Sequence, residues 1–142
     1  MALERTIKTA DDAADDVFTA LVTAGVKTAV NLTGAIHLWN EPLNSDLENI
    51  VVKTLGLSAD QMQEGVINVN IHVPNLNLTD DNSQPNRPRF NTIGASCIQA
   101  LDSFFGVNFN FSIESPGVLV PDGKDWFMNI RLRYYSVRED IN

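Results

Sequence analysis

Residues 65–74 read Gly-Val-Ile-Asn-Val-Asn-Ile-His-Val-Pro, so that Ile67, Val69, Ile71 and Val73 alternate with Asn68, Asn70 and His72. Successive side chains of a strand point to opposite faces, and this spacing therefore predicts a strand with one buried apolar face and one polar face. Pro74 has no N–H to give to a ladder and ends it. The alternation returns in residues 107–113 and 128–134. Three such stretches predict one sheet with a single apolar side, which something must cover.

Two stretches have the helical period needed for that cover. Thr9-Ala-Asp-Asp12 has the form of a capping box, and Ala10, Ala13, Ala14, Val17, Phe18, Leu21 and Ala24 follow as one stripe that Gly25 closes. A second helix is expected over 92–105, with Ile93, Cys97, Ile98, Leu101, Phe104 and Phe105 on one face and Gly106 at its exit. Residues 34–39, entered by a turn at 31–34, read as a first strand and 50–55 as a second. The short link 56–64 makes the second strand an antiparallel neighbour of the third.

The expected fold is α+β in the order α-β-β-β-α-β-β: two layers, with two helices on one face of a mainly antiparallel sheet of about five strands. Its 142 residues are enough for one domain with its own core. Residues 1–8 read as a flexible arm, and 75–91 and 115–125 as long loops. The second loop carries Val118, Leu119 and Val120 between the turn signals Pro116-Gly117 and Asp122-Gly123, an apolar tip suited to contact with a partner.

Composition removes several function classes. Ten basic residues against eighteen acidic ones, a net charge of −8, leave too little positive surface for strong binding to nucleic acid. No apolar run approaches the roughly 20 residues of a membrane span. The start of the chain lacks an apolar signal core, which places its synthesis in a cytosol. Cys97, the one cysteine, excludes an internal disulfide and falls on an apolar helix face, where a buried inert thiol is expected.

Asp11, Asp12, Asp15 and Asp16 suit the first turns of a helix and its solvated face, and lack the alternate spacing and turning glycine of a calcium loop. His37, His72 and Glu114 are the nearest thing to a metal-ligand set, and two histidines make half a zinc site. There is no phosphate-cradling glycine loop and no nucleophile elbow. No catalytic, cofactor-binding or metal-binding residue is expected. The polar face would display Asn68, Asn70, His72, Asn108, Asn110, Ser112, Asn129, Arg131 and Arg133. Amides in that number, where Thr, Lys and Glu would serve for solvent, point to a wet protein interface.

This order of elements resembles the tail terminator (tail completion) proteins of long-tailed bacteriophages and the related neck proteins. The resemblance is carried by the helix at 9–24, Gly34-Ala-Ile-His-Leu-Trp39 followed by Pro42, the strands at 50–55 and 66–73, and the helix at 92–105, and covers most of the chain. It implies a non-catalytic virion protein, made in the host cytoplasm. Such a protein forms a homo-oligomeric ring, usually six-fold, that caps the tail tube and joins it to the neck. Tail tube and neck proteins would be its partners, and DNA would pass through the ring without strong binding. The family brings no catalytic residues to carry over. The long loops 75–91 and 115–125 depart from it, and an unrelated α+β protein-binding module is the alternative, with a small enzyme third. The candidate contact residues are Val118, Leu119, Val120, Asn68, Asn70, Asn108, Asn110, Arg131 and Arg133.

Overall fold

The computed structural model describes residues 7–138. Its elements are α1 (Ala10–Thr23), α2 (Val26–Ala29), β1 (Ile36–Leu38), β2 (Asn49–Leu57), β3 (Met62–His72), α3 (Arg87–Leu101), β4 (Phe104–Phe105), β5 (Phe109–Asp122) and β6 (Asp125–Val137). The fold is α+β. The strands form one sheet in the order β1-β2-β3-β6-β5-β4, in which β1 runs parallel to β2 and every other pair is antiparallel.

Period-2 patterning sets the core. Ile67, Val69 and Ile71 of β3 are fully buried, as are Ile50 and Val52 of β2 and Ile130, Leu132 and Tyr134 of β6. They form one cluster with Ala13, Ala14, Val17 and Leu21 of α1 and with Phe90, Ile93, Cys97 and Leu101 of α3, so the helices lie against this face of the sheet. Thr9 caps α1 as its sequence predicts: its Oγ1 accepts from Asp12 N–H at 3.0 Å, and Asp12 Oδ2 accepts from Thr9 N–H at 2.8 Å. Burial pushes the Cys97 thiol up to about 12, which keeps it protonated and inert.

Several boundaries differ from the sequence reading. Among the described residues six strands and three helices replace five and two, because α2 and β4 are too short to show a period. Gly25, expected only to stop α1, takes a left-handed φ of 71° and opens the one-turn α2. The loop after β3 ends at Asn86, whose side chain caps α3, and Pro88 lies in the first turn of the helix instead of in the loop. The same helix stops at Leu101, and Phe104–Phe105 pair with β5 as an edge strand. Residues 1–6 of the expected arm lie outside the described residues. Lys8 is anchored: its N–H donates to Gln63 Oε1 (2.9 Å) and its Nζ bonds Asp16 (2.6 Å). Asp16 thus faces a partner, not solvent.

The largest correction concerns 115–125. This is no loop: β5 continues to Asp122 and turns into β6 through Gly123 and Lys124 alone. Val118, Leu119 and Val120 pair with Asn129, Met128 and Phe127. Leu119 packs on the core, and only Val118 is exposed. The ladder absorbs Pro116-Gly117 by shifting register twice, between Ile113 and Ser115 and between Ser115 and Val118, on a strand whose outer edge β4 pairs only at Asn110 and Phe111. Gly117 and Gly94 have a further use. A Cβ at either would come within 2.8 Å of Met128 Sδ, so together they admit that side chain between α3 and β5.

Candidate functional site

The sheet face away from the helices carries the amides. The β3–β6 register sets Asn70 opposite Asn129, Asn68 opposite Arg131 and His72 opposite Phe127. Asn129 Nδ2 donates to Asn68 Oδ1 at 3.1 Å and to Asn70 Oδ1 at 2.8 Å. Asn68 and Asn70 are 8% and 7% exposed, although no helix lies over them. Both are short side chains on a central strand, with Val51 and Lys53 of β2 on one side and Asn129 and Arg131 of β6 on the other. Arg131 is exposed. Arg133 donates to Glu114 Oε1 at 2.7 Å, so Glu114 is paired there, whereas His37 and His72 meet Asn49 and Glu41. Asn110 lies farther along the sheet between Phe105 and Tyr135, and Asn108, just before β5, is exposed and accepts from Val137 N–H through its carbonyl.

At the β1 end one residue gathers the polar groups. Asn49, the first residue of β2 and 2% exposed, accepts at Oδ1 from Ala35 N–H (3.1 Å) and meets His37 Nε2 there at 2.9 Å. Its Nδ2 donates to Glu41 Oε2 (3.0 Å), Ser45 Oγ (2.9 Å) and the Leu47 carbonyl (3.2 Å). With Nδ2 facing three acceptors the amide orientation is fixed, so His37 Nε2 must carry the proton it donates. Gly34 makes this approach possible, because a Cβ there would overlap Asn49 Oδ1 and the Glu48 carbonyl.

Glu41 also meets His72 Nδ1 at 3.5 Å, and His72 stacks on Phe127 with ring centroids 5.6 Å apart. The two histidines therefore converge on one Glu41–Asn49 pair. Burial holds the His72 imidazole below its usual range, against the opposite pull of Glu41, Asp122 and Asp125. Beside this network is a cleft of about 580 Å³ between the loop before β2, the loop after β3 and the β5–β6 turn. Glu41, Asp46, His72, Asp122, Lys124 and Trp126 are among its walls. Asn75 Nδ2 ties two of those walls by donating to the carbonyls of Asn82 (2.9 Å) and Lys124 (2.7 Å).

Behind the network, Arg89 of α3 grips Glu48 with a two-pronged pair. Nε donates to Oε2 and Nη2 to Oε1, both at 2.7 Å, and Nη2 also donates to the Val30 carbonyl at 2.9 Å. The guanidinium hydrogen bonds hold the Glu48 carboxyl below its usual range.

The polar groups at the β1 end are thus committed largely to one another, and what they offer a partner is a shaped, hydrogen-bonding surface. Among the described residues no group of three or more His, Cys, Asp or Glu is placed to hold a metal. The sequence reading brought Asn68, Asn70, Asn129 and His72 to one face, and the structure places them there, but Asn68 and Asn70 are buried between their neighbours and not displayed for contact. It missed Asn49, Glu41, Glu48 and Arg89, most of whose partners are too far along the chain for any local period to reveal. Comparison with protein-family models and with curated proteins returns no match.

Proposed function

We propose that this chain is a non-catalytic structural protein of a phage or phage-like particle, assembling into a ring that caps the tail tube and joins it to the neck. Its partners are then further copies of itself and the tail tube and neck proteins, in a virion put together in the host cytoplasm. The observation that carries this reading is the helix-free sheet face. Its buried amides are bonded to one another and leave Arg131 exposed beside them, a polar, hydrogen-bonded surface of the kind found in wet protein contacts. The order of the long elements, helix, strand after Gly34, loop with Pro42, two strands, helix, two strands, agrees with the tail-terminator resemblance. The excess of acidic residues fits a ring through which DNA slides without being held.

The cleft beside His72 favours a second reading, a protein-binding module unrelated to tails, in which Glu41, Asp46, Asp122 and Asp125 would meet a basic segment of a partner. Light scattering of the purified protein over a wide concentration range separates the two. A ring supports the tail-cap reading, and a strict monomer supports the module.

A further inference from the structure

The cleft beside His72 is short of positive charge and of hydrogen-bond donors. Glu41 and Asp46 come to it from the loop before β2 and Asp122 and Asp125 from the β5–β6 turn, against a single lysine, Lys124. His72 adds no second cation near neutral pH, because burial holds its imidazole below the usual range. Asn49 Nδ2 fixes Glu41, whereas the exposed Asp46, Asp122 and Asp125 make no side-chain hydrogen bond or salt bridge among the described residues. An uncharged group points the same way. Asn75, in the same walls, uses Nδ2 twice but keeps Oδ1 buried and without a partner, an acceptor still in want of a donor. The rim is apolar: Leu47 is half exposed in the cleft wall, and Leu43 of the same loop is 91% exposed. Trp126 also stands in the wall, its Nε1 fixed on the Ser83 carbonyl at 3.0 Å.

We infer that this cleft receives an arginine side chain of a partner protein, with an apolar residue beside it resting on Leu43 and Leu47. A guanidinium brings a permanent charge and five N–H donors in a planar fork that matches carboxylates, and its flat face stacks on rings such as that of Trp126. A lysine ammonium is a compact, strongly hydrated point charge and fits such walls less well. The two exposed leucines favour a protein segment over a free amine, which would leave them uncovered. The walls stand ready without a partner, because Asn75 ties the loop after β3 to the β5–β6 turn and Trp126 is bonded across to Ser83. Little ordering is then left to oppose binding. The inference rests on the cleft of the second reading and is compatible with the tail cap, in which the arginine would belong to a tail tube or neck protein.

Fluorescence anisotropy of a dye-labelled peptide with one central arginine between two leucines, titrated with the full chain to near-millimolar concentration, tests it. Binding should saturate, weaken several-fold when lysine replaces the arginine, and weaken about tenfold or more with neutral citrulline. Asp46→Asn combined with Asp122→Asn should melt like the wild type and bind the arginine peptide about tenfold more weakly. Asp15→Asn combined with Asp60→Asn removes the same charge from exposed residues of α1 and the β2–β3 turn, and should leave binding unchanged. The inference is overturned by the absence of saturable binding, by citrulline binding like arginine, or by both double variants weakening alike, which is attraction to net charge only. The mass of the same sample is read separately. Rings that bind no peptide would sink the cleft and leave the tail cap standing. Monomers that bind it through Asp46 and Asp122 would support the cleft and sink the tail cap.

Discussion

The two ends of the sheet are held by different physics. At the β1 end Asn49 takes part in five side-chain hydrogen bonds, and Glu48 and Arg89 close a second network behind it. At the β4 end Phe104, Phe109, Phe111 and Tyr134 lie in near-parallel contact, with Lys8 Nζ 4.2 Å over the Phe109 ring. Hydrogen bonds are directional, and a buried donor or acceptor that loses its partner bears its whole desolvation cost. The three phenylalanines ask only for shape, whereas the Tyr134 hydroxyl also bonds Asp16 and Lys8 Nζ. The first end should therefore reject substitutions of the same size that change polarity, and the phenylalanines of the second should accept apolar ones of similar size. Neither end is fully covered, since the loop before β2 exposes Leu43 and Leu47 and the aromatic end exposes Phe105.

Gly34→Ala should do the greatest damage, because the added methyl meets both Asn49 Oδ1 and a main-chain carbonyl that cannot swing away. A loss of about 3 kcal/mol, read by chemical denaturation, is expected. Equal stability of variant and wild type would show that the β1 end is loosely packed around Asn49.

Arg89→Ala should cost about 2–3 kcal/mol near neutral pH, by leaving the largely buried Glu48 carboxylate without its fork of donors. The pH dependence gives a sign. Arg89 depresses the folded-state pKa of Glu48, so its contribution is complete above the ordinary carboxylate value of 4.5 and is lost as pH falls through the lower folded value. The stability gap between wild type and Arg89→Ala should accordingly narrow below about pH 4.5. A gap that widens on acidification would mean that the pair is not what holds α3 to the loop before β2.

A paired comparison sharpens the contrast between the ends. Asn49→Asp keeps the shape but turns a donor toward Glu41, Ser45 and the Leu47 carbonyl into an acceptor, at a cost of about 2 kcal/mol. Phe111→Leu changes shape within an apolar stack and should cost about 1–1.5 kcal/mol. Thermal melts of the two variants would reverse the comparison if the leucine proved the more damaging.

How much of this was legible in the sequence depends on how far apart the interacting residues are. Ile67, Val69 and Ile71 announce their buried face because period 2 is a local property, and Thr9 with Asp12 announces the start of α1 for the same reason. Pro116-Gly117 misled because that dipeptide is a turn signal in general but tolerable on an edge strand with bulges, and edge status follows from the pairing of β5 with β4 and β6. Pro88 was read with the loop, although proline is at home in the first turn of a helix; the Asn86 cap just before it was the available clue. Nothing local marks Asn49 as a hub, since its partners at 35, 37 and 41 meet it only once β1 has paired with β2. The parallel direction of β1 was hidden in the same way.

Assembly is the point on which the functional account stands or falls. Static light scattering on the wild-type protein up to near-millimolar concentration, with negative-stain images of the same sample, measures it directly. The account predicts closed rings, six-fold by the tail-terminator resemblance, whose mass is a fixed multiple of the chain. A protein that remains monomeric, or stops at dimers with no ring in the images, would contradict it.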